Sequence, residues 1–258
     1  EINTTLSVGS CTNAAQAMAA RLKAAGLPAA DVQVIAPPQR PKDGNLIAVL
    51  RGSDAKAKPL LLLAHLDVVE ARREDWQRDP FTLVEEDGFF YGRGTSDDKA
   101  MAAVFTDSLV RYRQEGYRPK RTIRLALTCG EETTGAFNGA NYLATQHKDW
   151  IDAEFAVNEG GHAELDEHGK PVSFGVEAAE KVYQDFRLET TNVGGHSSLP
   201  VRVNAITQLA AGLERLGAYQ FPVRLNDTTR AYFSKQAELQ KDPQIAADMR
   251  AIVANPDA

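Results

Sequence analysis

At 258 residues the chain is long enough for one large domain or two smaller ones, and its 43% hydrophobic and 25% charged content is ordinary globular composition. A net charge of −6 argues against a nucleic-acid binder, which carries a basic face, and no apolar run reaches the length of a membrane span. The two cysteines, Cys11 and Cys129, have no metal-site spacing; they neither demand nor exclude a disulfide and read as small buried residues rather than reactive thiols.

In chain order, NAAQAMAARLKAA (13–25) reads as a helix stopped by Gly26. NLIAVLRG (45–52) and PLLLLAHLDVV (59–69) read as strands separated by a charged turn, and FTLVEEDGFFYG (81–92) as a hairpin around Asp87-Gly88. Residues 98–115 place Met101, Val104, Phe105, Leu109 and Tyr112 at helical spacing. RTIRLALT (121–128) predicts a strand, 138–147 a helix and AEFAVN (153–158) a short strand. Strands alternating with helices predict a layered α/β fold. From about residue 180 the character changes. KVYQDFRLETTN (181–192) alternates like a half-exposed strand, RVNAITQLAAGLERLG (202–217) is an amphipathic helix, and the chain beyond 220 is polar and helical in tone. This predicts the start of a second, smaller strand-and-helix domain.

Four places carry chemistry. In LLLAHLDVVE, residues two apart on a strand share a face, so His65 and Asp67 stand side by side where the strand leaves the core. That suits a ligand and its supporting group, or simply a strand end with a polar turn. In YGRGTSDDKA (91–100), Asp97 and Asp98 follow a Gly-Arg-Gly run and open a helix, where a carboxylate also serves as a cap. LTCGEETTGAFNGA (127–140) puts Glu131 and Glu132 at a strand tip; adjacent side chains diverge, so one can bind a metal while the other holds a proton. FAVNEGGHAE (155–164) delivers Glu159 from another apolar strand. Ligands of open α/β sheets bind at the carboxyl ends of strands. Taken together, the four favour a divalent metal site, zinc or a similar ion, with room for a second ion bridged by an aspartate.

HLDVV, then Trp76 to Phe81 (W-x-x-D-P-F), DGFFYGRGTSDDKA, GEET and GGHSSLP occur in this order, from roughly residue 13 to 215. They resemble the zinc-dependent exopeptidase and amidohydrolase family of glutamate carboxypeptidase, aminoacylase, carnosinase-type dipeptidases and succinyl-diaminopimelate desuccinylase. The resemblance implies a mixed α/β sheet flanked by helices, with residues 1–180 as the first part of the catalytic domain. Residues 181–258 would begin a smaller α+β lid and dimerisation domain through which a homodimer forms. It implies two Zn2+, with Co2+ or Mn2+ as substitutes. His65 matches the first metal-binding histidine, Asp67 the carboxylate that orients it, and Asp97 the bridging aspartate, with Asp98 at a variable position. Glu131 matches the general base, Glu132 a ligand of one metal, Glu159 the carboxylate ligand of the other, and His196 a substrate-carbonyl contact. The implied reaction is amide hydrolysis of a small peptide or N-acyl amino acid, with the form of DGFFYGRGTSDDK closest to the peptidase and carboxypeptidase branch. A deacylase or desuccinylase, and an inactive metal-binding or partner-binding fragment, are the competing readings.

One departure stands out. The family has a further metal-binding histidine after the smaller domain, and His147, His162 and His168 lie too early to match it. The start at Glu1 and the end at MRAIVANPDA read as a processed or truncated chain, with the second half of a discontinuous catalytic domain absent. Such a chain is expected to bind metal weakly and to be inactive alone. It would be periplasmic or secreted if a leader was removed, and cytoplasmic otherwise.

Overall fold

The computed structural model describes residues 1–255 apart from 134, 162 and 179. The chain divides into two compact units, Glu1–Gly161 and the remainder. The first contains helix α1 (Cys11–Ala24), strands β1 (Val32–Ile35), β2 (Asn45–Leu50), β3 (Leu60–His65), β4 (Val84–Glu86) and β5 (Phe89–Tyr91), helix α2 (Lys99–Gln114), strand β6 (Ile123–Thr128), helices α3 (Gly139–Gln146) and α4 (Lys148–Ile151), and strand β7 (Phe155–Val157). Its main sheet runs β1-β2-β6-β3-β7. The first two pairings are antiparallel and the last two parallel, so the mixed sheet predicted from the resemblance is present. Strands β4 and β5 form the separate hairpin, turning at Asp87 and Gly88 with φ of 52° and 80°.

Period-2 alternation sorts the sheet's apolar residues onto two faces. Leu46, Ala48 and Leu50 of β2 and Ile123, Leu125 and Leu127 of β6 join Ala15, Leu22 and Leu109 from α1 and α2 in one cluster. Ile47, Leu61 and Ala126 face the other way and meet Leu143 of α3 with Trp150 and Ile151 of α4. Helices therefore cover both faces. Leu22, Leu46, Leu109, Leu125 and Leu127 are fully buried, and each such side chain contributes about 1.5–3 kcal/mol relative to exposure. The N-terminal segment is tied to the chain leaving β3: Thr4 Oγ1 donates to the Leu66 carbonyl (2.6 Å), and Ser7 N–H and Oγ to the Glu70 carboxylate.

The second unit holds the hairpin of β8 (Ala163–Leu165) and β9 (Pro171–Phe174), then helices α5 (Ala205–Ala218), α6 (Asp227–Leu239) and α7 (Pro243–Ala254). Asn204 and Thr207 form a reciprocal capping box on α5, and Asn226 and Thr229 do so on α6. Arg230 of α6 donates to the Val253 carbonyl of α7, and Ala237 and Ala246 are buried. The strand expected over 181–192 is not formed. Its alternation is real, but Val182 and Phe186 are 92% and 83% exposed, and among the described residues no strand pairs with it. Without a ladder partner the extended backbone gains nothing over water as its hydrogen-bonding partner.

One buried polar residue fixes the centre of the first sheet. Asn45 opens β2 fully buried; its amide group donates to the Ile35 and Asp43 carbonyls, and its Oδ1 accepts the Cys129 N–H at 3.0 Å. Replacing it by alanine strands that N–H in an apolar setting. Asn45→Ala is expected to cost about 1–3 kcal/mol, read from the shift of the denaturant midpoint at unchanged slope; a shift worth less than about 0.5 kcal/mol would show that the N–H finds another partner.

Candidate metal centre

Strands β6, β3 and β7 run parallel, with His65 in register with Thr128 and Leu62 with Val157. Their carboxyl ends therefore lie together, and each carries polar side chains just beyond its last residue. His65 ends β3, 2% exposed. Its Nδ1 donates to the main-chain carbonyl of Asp67 at 3.0 Å, which turns Nε2 outward. There Nε2 lies 2.9 Å from Asp97 Oδ1, 3.5 Å from Glu159 Oε1 and 3.9 Å from Glu131 Oε2.

The carboxylate of Asp67 has different partners. It is buried, 3.6 Å from His65 Nδ1, and accepts the backbone N–H groups of Gly130, Glu131 and Glu132 at 2.7, 3.3 and 3.0 Å. Asp67 thus supports the imidazole through its carbonyl and clamps the Glu131–Glu132 turn through its side chain. The turn is tight: Gly130 has φ +88°, and a Cβ there would sit 1.8 Å from the Phe137 carbonyl oxygen.

Asp97 and Asp98 precede α2 and are joined by a cis peptide bond. Gly94 in the preceding run has φ +90°, and a Cβ there would lie 3.1 Å from Val68, so the loop approaches the chain leaving β3 closely. Asp98 occupies the N-cap position without making a capping hydrogen bond. It is 2% exposed, and its Oδ2 accepts the His65 backbone N–H at 3.1 Å. The sequence reading left Asp98 in a variable position; its buried bond to His65 makes it a support of the site. The adjacent Asp-Asp pair was the only signal for it.

Charge in this cluster is lopsided. Burial of His65 opposes its protonation, but the Asp67 carboxylate, then Glu159 and the Asp67 carbonyl, raise its pKa to about 10. Burial and the Asp98, Asp97 and Glu131 carboxylates push Glu159 up to about 7 against the pull of His65. Burial and Asp97 raise Glu132. Burial would raise Asp67 too, but His65 and the N–H groups of Glu132 and Gly130 hold it below the usual carboxylate range. A group of acids that suppress one another's ionisation around a single imidazole is the kind of cluster that a positive ion would relieve. His65, Asp97 and Glu159 present one nitrogen and two carboxylate oxygens within 4.8 Å of one another, a donor set that suits zinc and similar divalent ions. A cavity of about 60 Å³ beside them is lined by His65, Thr128, Glu131, Asn138 and Glu159. His196 lies exposed in the second unit, where its Nδ1 pairs with Ser198 Oγ at 2.7 Å and accepts the Ser198 N–H. Among the other histidines, His147 packs against Tyr142 and Trp150, and His162 lies outside the described residues. Cys11 and Cys129 are joined in a disulfide, where the sequence left the pairing open.

The profile of peptidase family M20/M25/M40 matches residues 61–253. Human N-fatty-acyl-amino acid synthase/hydrolase PM20D1 is 35% identical over 179 residues, 67% of this chain and 35% of that protein. Carboxypeptidase S of Saccharomyces cerevisiae is 33% identical over 167 residues, 60% of this chain and 28% of its own length. The chain thus spans about a third of the length of the curated relatives it matches. An M20 family metallo-carboxypeptidase from Sulfolobus solfataricus, Sso-CP2, shares the fold with a TM-score of 0.52 over 65% of this chain and 36% of that one, at 20% identity.

A metal held by His65 and Glu159 would have to displace protons. Glu159 is protonated below about 7, and His65 carries its proton up to about 10. Zinc affinity is therefore expected to rise with pH, by about tenfold per unit for each displaced proton, most steeply below about pH 7 where both groups contribute. Competition against a chelator of known affinity, from pH 6 to 8.5, measures this; a flat profile would sink the assignment of these two ligands.

Proposed function

We propose that this chain, which belongs to peptidase family M20/M25/M40, is the metal-bearing part of an enzyme that hydrolyses the amide bond of a small peptide or an N-acyl amino acid. The observation that carries this reading is the juxtaposition of His65, Asp97 and Glu159 with a further carboxylate, Glu131, left over beside them. His65, Asp97 and Glu159 would hold one Zn2+. Asp97, shared, and Glu132 would hold a second together with a ligand from another segment. Such ions lower the pKa of water and polarise a carbonyl.

The remaining work falls to this chain's own groups. Glu131, its backbone N–H held by Asp67, is 54% exposed at its side chain, with its Oε2 3.9 Å from His65 Nε2. It would take a proton from the attacking water and return it to the amide nitrogen as the C–N bond breaks, leaving a carboxylate and an amine. Asp67 holds the Glu131 backbone in place and Asp98 holds the His65 backbone. His196 would donate to the substrate's carbonyl oxygen as negative charge develops there. Residues 1–180 then serve as the first part of the catalytic domain. Residues 181–258 begin a lid through which two copies pair. The buried disulfide supports maturation in an oxidising compartment, periplasmic or extracellular.

The names of the relatives favour two substrate types with one chemistry: carboxypeptidase-like cleavage, and release of the acyl group from an N-acyl amino acid. Assay of the full-length protein against dipeptides and N-acyl amino acids separates them. Glu131→Ala is expected to lower turnover by about 10²–10⁴-fold with zinc content unchanged by elemental analysis. Loss of zinc in that variant would make Glu131 a ligand instead, and a wild-type protein that binds zinc but cleaves neither substrate would favour a metal-binding or partner-binding role.

A further inference from the structure

We infer that the Cys11–Cys129 disulfide is a positioning element of the metal centre, the anchor that keeps the Gly130–Glu132 turn on the Asp67 carboxylate. This rests on the reading of that turn as the source of the proton-carrying Glu131 and the ligand Glu132. Three observations carry it. Cys129 is the single residue between the end of β6 and Gly130, and all of its polar groups are tied: N–H to Asn45 Oδ1 at 3.0 Å, carbonyl to the Gly139 N–H at 2.7 Å, and sulfur to Cys11. Cys11 is the first residue of α1, whose Ser10 cap and buried face fix it against the sheet. The bond thus joins the turn to a separate, well-packed element 118 residues away.

The second observation is what surrounds the bond. A cavity of about 350 Å³ lies against it, lined by Cys11, Cys129, Asp67 and Gly130 together with Thr4 and Phe137. Packed side chains would ordinarily support a catalytic turn from behind. Here the cavity interrupts that packing beside the bond, although both cysteines are buried and Phe137 packs against their cluster, so the bond adds a covalent tie where the packing is interrupted. The third is the turn itself. Glu131 and Glu132 are tied to Asp67 through backbone N–H groups at 3.3 and 3.0 Å, and only Gly130, at φ +88°, separates them from Cys129. If Cys129 shifts, those two amides shift with it, and so do the carboxylates they carry.

A long disulfide loop also stabilises a fold as a whole, so the test must separate local bracing from general stapling. Backbone amide exchange is compared in the native protein, in a Cys11→Ala/Cys129→Ala double variant, and in native protein reduced under argon. The reductant is a water-soluble trialkylphosphine: the bridge takes up two electrons and two protons to give two thiols, while the phosphine is oxidised to its oxide with the oxygen of one water. Zinc affinity is measured alongside by chelator competition. The expected result is faster exchange at Gly130, Glu131 and Glu132, by about tenfold or more, with Leu125 and Leu127 in β6 unchanged, and zinc held about 10–100-fold more weakly, as when a ligand's support is removed. Reoxidation restores both. Unchanged exchange and affinity would overturn the inference, and so would uniform acceleration through β6 and α1 or global unfolding, either of which makes the bridge a general staple. Native protein that takes up no zinc at all would instead remove the functional reading, while the exchange comparison still decides whether the bridge braces the turn.

Discussion

Everything at the site hangs on the backbone and carboxylate of one buried residue, Asp67. Its carbonyl accepts the hydrogen bond from His65 Nδ1, and its two carboxylate oxygens gather three amides from a turn at the tip of a neighbouring strand. A carboxylate satisfied in this way stays ionised despite its burial, because each N–H group favours the charged form. Two strand ends that meet only through the sheet's register become one rigid unit. The imidazole and the two glutamates then have fixed starting points, although the Glu131 side chain remains half exposed.

The surrounding acids work against the fold. Asp97, Asp98, Glu131, Glu132 and Glu159 crowd one imidazole, and several of them raise one another's pKa. Repulsion of this kind destabilises the compact state, and it persists because the mixed sheet, covered on both faces, holds the strand ends in place regardless. The core supplies rigidity and the strand tips use it. That division is why a site of mutually repelling groups can be built without side-chain packing of its own.

Much of the first unit was legible in the sequence because its signals are local. Continuous apolar runs marked β2 and β3, alternation marked β6, and the break from apolar to polar at His65, Glu131 and Glu159 marked the strand ends. What escaped involves pairs distant in the chain. Nothing near residue 45 shows that Asn45 meets Cys129, and nothing near residue 11 shows that Cys11 meets it as well. The resemblance singled out Asp97 and left Asp98 at a variable position; the backbone aims Asp97 at His65 Nε2 and buries Asp98 on the His65 N–H, a contact that no local signal announced. The run over 181–192 failed for the converse reason: its alternation is local, but a strand exists only where another backbone lies beside it.

The order of strands across the sheet has a consequence for how the molecule is made. Strands β2 and β3 are synthesised close together but never touch; β6, which begins only at Ile123, is inserted between them. On the ribosome the chain must carry two apolar strands with unsatisfied edges until β6 has emerged, and the parallel pairing of β3 with β7 comes later still. Exposed edges of this kind invite pairing with other nascent chains. The arrival of β6 ends that interval, and it brings Cys129 to Cys11 in the same movement. In the finished fold the Cys11–Cys129 bond sits just past the end of that central strand, so the covalent tie and the completed sheet share one end.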